Sequence, residues 1–138
     1  MRLSPRDHTE AFALARRLEC SDAGSVRDDR RALLLFWYGS GAARLRLEED
    51  VLLSAWERYG GRDHPLNAAI RSELARLAAA VEEIAADAAP SAGALRRVGA
   101  ALTALLRDHD GPLCAVVERA LPRRELADVE RALSRAHG

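Results

Sequence analysis

The stretch that decides the fold extends from Pro65 to Ile84 and reads PLNAAIRSELARLAAAVEEI. Its large apolar residues recur every three or four positions, at Ile70, Leu74, Leu77, Val81 and Ile84. That spacing places them on one side of an α-helix, and Pro65 suits the first turn of such a helix. The stretch therefore predicts a long amphipathic helix from Pro65 to about Ala88, whose apolar side other helices must cover.

Two other stretches repeat this period. Their apolar stripes are Leu45, Leu52, Ala55 and Tyr59 in the first, and Leu95, Val98, Leu102, Leu105 and Leu106 in the second. The surrounding sequence is rich in alanine, leucine, arginine and glutamate, which favour helices, while aromatic residues make up only 4%. Because strand and hairpin signals are nearly absent, each stripe is predicted to supply one helical face of a shared core.

Local signals predict where the other helices begin and end. Ser4 as an N-cap and Pro5 after it predict a first helix from about residue 4 to about residue 20. A capping box at Ser25–Asp28 predicts a second helical stretch that ends at Gly60–Gly61 and is interrupted at Gly39–Gly41. Further helices are predicted from about Ala92 to His109, onward to Leu121 past a disturbance at Asp110–Pro112, and from Pro122 to about Ala136.

The length of 138 residues fits one domain, residues 1–138. Four principal helices with short loops predict an all-α, antiparallel up-down four-helix bundle with a short extra C-terminal helix. The net charge of +0 gives no overall attraction to nucleic acid or to a membrane surface. Two cysteines are too few for a disulfide framework, and no signal-peptide or membrane-spanning pattern is present. We therefore expect a soluble, cytoplasmic protein.

Three polar side chains interrupt the apolar stripes. His8 lies on the apolar side of the first helix, Glu48 follows Leu45 by three residues on the second, and His109 continues the stripe of the fourth. Burying an imidazole or a carboxylate costs free energy unless it has a partner or a metal. One inward histidine is more often a satisfied core residue than a ligand, but three such residues on three helices match the way bundles build metal sites.

The remaining polar and aromatic residues have plainer interpretations. His64 is expected to help start the helix at Pro65, and Trp37 and Trp56 are expected to pack in the core. Glu49–Asp50 and Arg123–Glu125 are predicted to be solvated faces. No phosphate-binding loop, nucleophile elbow or pair of catalytic acids supports an enzyme.

The chain also carries longer segments in a characteristic order: Leu33–Trp37, Leu47–Leu53, Tyr59–Leu66, Leu105–His109 and Val116–Leu121. In order and separation they resemble bacterial hemerythrin-like proteins, the HHE cation-binding domain family, over most of the chain. Every basic residue other than histidine is arginine, which is typical of GC-rich bacterial coding. The resemblance implies a four-helix bundle that binds two irons, with roles in oxygen binding, iron sensing or responses to nitric oxide and oxidants.

In that family the ligands are a histidine on the first helix, a histidine and a glutamate four apart on the second, a histidine on the third, and a second such pair on the fourth. The resemblance places His8 at the first-helix ligand, Glu48 at the bridging carboxylate and His109 at the fourth-helix imidazole. The other three ligand positions hold Arg44, Leu74 and Leu113. About half of the ligands are thus lost, and two irons are not expected.

Arg44 and Glu48 are four apart on one helix, so we expect the guanidinium to neutralise the carboxylate that has lost its metal. Leu74 and Leu113 are expected to fill the vacated volume. On this interpretation the chain binds no cofactor and is a non-catalytic binding, regulatory or interaction module, with a homodimer or another protein as open partners.

Two alternatives stay open. His8, Glu48 and His109 could gather around one iron ion as two histidines and one carboxylate. If the break at Pro112 turns Cys114 inward, the added thiolate would favour zinc instead. A small oxidase at a mononuclear iron would further need an open coordination position and a substrate cleft, which the sequence does not demonstrate.

Overall fold

The computed structural model describes residues 2–4 and 7–137, and this part of the chain contains helices and no β-strand. The helices are α1 (Thr9–Glu19), α2 (Val26–Phe36), α3 (Ala42–Glu57), α4 (Pro65–Ala86), α5 (Ala92–Asp108), α6 (Cys114–Ala120) and α7 (Arg123–His137). Two π-helical segments, Trp37–Gly41 and His109–Leu113, join α2 to α3 and α5 to α6. The all-helical prediction is confirmed for the described residues.

The π-helical segments lie where the sequence predicts interruptions. The first contains Gly39 and Gly41, and the second contains Pro112. The flanking residues keep helical backbone angles, so α2 continues into α3 and α5 into α6 without a loop. A π-helical turn inserts one residue and rotates every later side chain about the helix axis. The segments therefore set the direction of the side chains that follow them.

Predicted helix starts are confirmed at α4 and α5. Nδ1 of His64 accepts a hydrogen bond from the backbone N–H of Leu66 at 3.1 Å, and Oγ of Ser91 accepts one from Ala94 at 3.1 Å. His64 therefore caps α4, in line with its expected role. The predicted stop after α3 is also confirmed, because Gly60 has φ 97°, a left-handed angle that favours glycine.

The predicted start of α1 near residue 4 is wrong, since the helix begins at Thr9. Pro5 lies outside the described residues. The backbone N–H of Leu3 donates to a carboxylate oxygen of Glu118 at 3.3 Å, and that of Ser4 donates to Glu130 at 3.1 Å. These contacts with α6 and α7 hold the segment outside a helix, so tertiary bonds override the local capping signal.

The predicted capping box at Ser25–Asp28 is also wrong. Ser25 precedes α2 but makes no side-chain cap bond. Its hydroxyl donates instead to Oδ2 of Asp29 at 2.7 Å, while Nε of Arg17 donates to Oδ1 at 2.8 Å. Asp29 thereby ties α2 to α1, and this charged neighbour takes the hydroxyl that a capping box would use.

The buried apolar residues form two clusters. The first lies mainly among α1, α2, α4 and α5, and the second lies among α3, α6 and α7 with Leu3 and Ile70. The predicted stripes of α4 and α5 are buried, and so are Trp37 and Trp56. Tyr59 is 39% exposed, so its predicted core position is wrong because α3 ends two residues before it.

Candidate functional site: a buried histidine–carboxylate network

The three polar residues singled out in the sequence lie between the two apolar clusters. His8, Glu48 and His109 are 7%, 0% and 0% exposed, which confirms that all three face inward. Glu48 lies between Leu45, in the first cluster, and Leu52, in the second. The folded chain therefore separates its two apolar clusters with a polar layer.

Each of the three residues is placed by a different part of the fold. His8 directly precedes α1, Glu48 lies in α3 beyond the first π-helical segment, and His109 is the first residue of the second. Their positions agree with the helical spacing that located them. The second π-helical segment also contains Asp110, which directly follows His109.

His8 contacts two carboxylates. Its Nε2 lies 3.0 Å from both oxygens of Glu48, and its Nδ1 lies 3.0 Å and 3.1 Å from the two oxygens of Asp110. Asp110 is in the second π-helical segment, and its side chain is 39% exposed. His8 therefore connects the buried Glu48 to a carboxylate that reaches solvent.

His109 also contacts two carboxylates. Its Nδ1 lies 3.4 Å from Oε1 of Glu48, and its Nε2 lies 3.0 Å from Oε1 of Glu49. The five side chains form one network, in which each histidine stands between two acids and Glu48 is shared by both rings. We refer to Asp110, His8, Glu48, His109 and Glu49 as the histidine–carboxylate network.

Sequence reasoning missed two members of this network. Glu49 is 4% exposed, so the prediction that it belongs to a solvated face is wrong. A signal was present, because Glu49 is four residues from Leu45 and four from Leu53, the same spacing that places side chains on one helical face. Asp110 had no comparable signal, because its direction depends on the π-helical turn around Pro112.

The electrostatics favour protonated histidines. Burial alone would lower the pKa of His8, but hydrogen bonds with Asp110 and Glu48 and their negative charges outweigh it and raise the pKa from 6.5 to about 9. Burial alone would also lower the pKa of His109, but the neighbouring carboxylates of Glu48 and Glu49 outweigh the effect of burial and raise that pKa as well. His8 is therefore an imidazolium at neutral pH, and the carboxylates beside His109 favour its protonated form.

Glu73 of α4 extends this electrostatic environment. Burial, together with the adjacent Asp108, raises the pKa of Glu73 to about 7, while the positive charge of His109 opposes the shift. Glu73 directly precedes Leu74, which holds the third-helix ligand position in the resemblance. The carboxyl group of Glu73 is thus affected by the same buried histidine.

The expected ion pair between Arg44 and Glu48 does not form among the described residues. Arg44 is exposed, whereas Glu48 is completely buried and faces both histidines. The two histidines already lie beside Glu48 in the core, whereas Arg44 would have to bury its long side chain to reach it. The described side chains that contact Glu48 are therefore the two histidines and not Arg44.

The two leucines that the resemblance places at ligand positions lie in the apolar clusters on either side of the network. Leu74 is 7% exposed and belongs to the first cluster, while Leu113 is fully buried in the second. Cys114 is also buried with the second cluster. These side chains supply apolar volume around the polar layer.

A small cavity adjoins the network between α1 and α3. It has a volume of about 40 Å³ and is bordered by His8, Arg44 and Glu48. A water molecule occupies about 30 Å³ in the liquid, so this cavity has room for about one water. A larger cavity of about 450 Å³ lies on the other side of the network, where Asp110, Cys114 and Glu118 are among the residues that line it.

The donor atoms of the network do not have the arrangement that a bound metal ion requires. A metal needs an unprotonated ring nitrogen, but each ring nitrogen of His8 and His109 lies within 3.4 Å of a carboxylate oxygen, which favours protonation of the rings. Within residues 2–4 and 7–137, no group of three or more His, Cys, Asp or Glu side chains has an arrangement that could hold a metal ion. The residues present do not fit a two-iron centre.

Comparison of the chain with protein-family models, with curated proteins and with solved structures yields no match. In the part of the chain that the structure describes, none of the helices combines the length and the apolar character needed to cross a lipid bilayer.

Proposed function

We propose that this chain is a hemerythrin-like four-helix bundle in which the histidine–carboxylate network replaces the two-iron centre. In this proposal it acts as a non-catalytic binding or regulatory module that needs no metal. His8, Glu48 and His109 keep three positions of the family's ligand set, while Arg44, Leu74 and Leu113 have replaced the others. The retained residues now stabilise one another.

Contacts between helices support the up-down arrangement of this bundle. His8 before α1 contacts Asp110 after α5, while Ser21 after α1 accepts a hydrogen bond from Arg96 near the start of α5, so these helices are antiparallel. Likewise, Arg30 in α2 donates to the carbonyl oxygen of Ala85 at the end of α4, whereas Asn67 at its start contacts the end of α3. Both pairs have the directions that an up-down bundle requires.

The single observation that carries the proposal is that all four ring nitrogens of the two histidines lie within 3.4 Å of a carboxylate oxygen. Two buried cations placed among acids compensate charge without a metal. An uncompensated buried charge would cost several kcal/mol, comparable with the whole stability of a small domain. The network therefore lets the bundle stay folded after the ligand losses.

Metal content tests this proposal. We expect protein produced with added iron, zinc and manganese, and purified without chelator, to contain far less than one equivalent of metal, measured by elemental analysis. Glu48→Ala should leave this low content unchanged, as should Glu82→Ala, a control at an exposed acid of α4. One equivalent of metal that is lost in Glu48→Ala and kept in Glu82→Ala would contradict the proposal.

A second candidate is a mononuclear metal protein, which the convergence on Glu48 favours. Oε1 of Glu48 lies 3.0 Å from Nε2 of His8 and 3.4 Å from Nδ1 of His109, so two nitrogens and one carboxylate meet at one place. A metal there would have to displace a proton from each ring. Titration with Co²⁺ separates the candidates, because bound Co²⁺ would give visible absorption with proton release, whereas the metal-free network would give neither.

A further inference from the structure

One exposed stripe on α2 and α3 concentrates apolar side chains that the core does not use. Among the described residues, Leu35, Tyr38 and Leu47 are 67%, 59% and 48% exposed, and only Tyr59 joins them as an exposed large hydrophobic residue. Aromatic and aliphatic side chains clustered on one surface are typical of an interaction site. The stripe therefore needs an occupant.

The first π-helical segment aligns this stripe. Twelve residues of regular α-helix turn through about 1200°, which would place Leu47 about 120° away from Leu35 around the axis. One residue inserted by a π-helical turn takes back about 100°, so the two leucines lie on the same side. Arg31, Ala43 and Asp50, which are also exposed, lie within about 40° of Leu35 around the axis by the same geometry.

The order of residues along the stripe is self-complementary. It reads Arg31, Leu35, Tyr38, Ala43, Leu47 and Asp50. The midpoints of the pairs Leu35–Leu47, Tyr38–Ala43 and Arg31–Asp50 all fall at Ser40 or Gly41. A two-fold axis at this point would place leucine against leucine, and would place each Arg31 against the partner's Asp50.

We propose that this stripe is the contact surface for a second copy of the chain, which packs antiparallel against it about a two-fold axis near Ser40. Opposite charges at both ends set the register, and apolar contacts at the centre supply the affinity. The backbone at Gly39 allows close approach at the centre, since a Cβ added there would meet no heavy atom within 4 Å of it in the single chain. This inference goes beyond the proposed function and does not depend on metal content, because none of the six residues belongs to the histidine–carboxylate network.

Charge exchange tests the register most directly. Arg31→Glu places two acids at each end of the contact, and Asp50→Arg places two arginines there, so each variant alone should weaken the dimer at least about tenfold. A mixture of the two variants restores opposite charges at both ends. We expect analytical ultracentrifugation to show a heterodimer in the mixture under conditions where each variant alone is monomeric.

Substitutions at the centre test the surface itself. Leu35→Glu and Gly39→Glu should each shift the full chain towards the monomer by at least about tenfold in dissociation constant. Both positions are exposed, so circular dichroism should show unchanged helix content. Tyr59→Glu, at an exposed aromatic residue outside the stripe, is the matched control and should dimerise like the original chain.

Three outcomes would overturn the inference. The chain could stay monomeric up to about 1 mM, or Leu35→Glu and Gly39→Glu could fail to weaken the dimer. The third is a mixture of Arg31→Glu and Asp50→Arg that associates no better than either variant alone. Metal analysis of the same samples tests the proposed function separately.

Discussion

Glu48 is completely buried between two imidazole rings, where solvent cannot compensate its charge. At the scale of single residues, such a side chain is stable only while its partners are present, because removing one member of a buried ion pair leaves the others uncompensated. The same reasoning makes Glu48 the most sensitive member of the network, since both histidines share it.

Glu48→Ala is therefore expected to lower the free energy of unfolding by about 3–5 kcal/mol, because it leaves two buried imidazoliums without their shared acid. Glu82→Ala, at an exposed acid, should change the free energy by less than about 0.5 kcal/mol. Urea denaturation monitored by circular dichroism measures both. Equal stability of the two variants would mean that Glu48 is not held as an ion-pair partner.

At the scale of helices, close packing of α1 against α5 depends on one glycine. A Cβ added at Gly99 would lie 2.7 Å from the carbonyl oxygen of Ala15 and 2.8 Å from the backbone nitrogen of Glu19. Both atoms belong to the backbone and cannot move aside without shifting the helix. The approach of the two helices brings His8 and Asp110 within reach of each other.

Gly99→Ala should destabilise the protein by about 1–3 kcal/mol, because the methyl group forces the two helices apart. Gly93→Ala, on the same helix, should instead be neutral or stabilising by up to about 1 kcal/mol, because the atom nearest to its added Cβ is 3.4 Å away and belongs to the flexible side chain of Arg97. Thermal denaturation of the two variants provides the comparison. A Gly99→Ala protein as stable as Gly93→Ala would contradict the close packing.

At the scale of the whole molecule, a polar layer separates two apolar clusters, and its charges link stability to pH. The pKa of His8 rises from 6.5 to about 9 on folding. A raised pKa means that the folded state binds the proton more tightly, so this contribution is fully present below pH 6.5 and is lost as pH rises through 9. The raised pKa of His109 acts in the same direction.

We therefore expect the free energy of unfolding to fall between pH 6.5 and pH 10. His8 contributes at most about 3 kcal/mol to this fall, since one pKa unit corresponds to about 1.4 kcal/mol and solvent screens the exposed Asp110. Asp110→Asn should reduce the fall, because the pKa of His8 then moves back towards 6.5. Urea denaturation at several pH values measures this fall in the free energy of unfolding. A free energy of unfolding that rises between pH 6.5 and pH 10 would contradict the raised pKa of His8.

The sequence by itself determined the helical architecture and much of the site. Apolar residues at intervals of three and four fixed the buried faces of α4 and α5, because one face of a helix must leave water. The same spacing found His8, Glu48 and His109, since position on a helix decides whether a side chain points inward. Glycines and prolines marked the interruptions, because their backbone preferences act locally.

Only the tertiary structure decided which charges meet. Arg44 is four residues from Glu48 and could reach it along the helix. The histidines contact Glu48 instead, because they come from other parts of the chain and are already buried beside it. Glu49 and Asp110 join the network by contacting histidines from distant parts of the chain. The direction of Asp110 depends on a π-helical segment that the sequence locates but does not orient. Helix spacing is a property of neighbouring residues, whereas charge partners depend on distances between segments far apart in the chain, which exist only once it has folded.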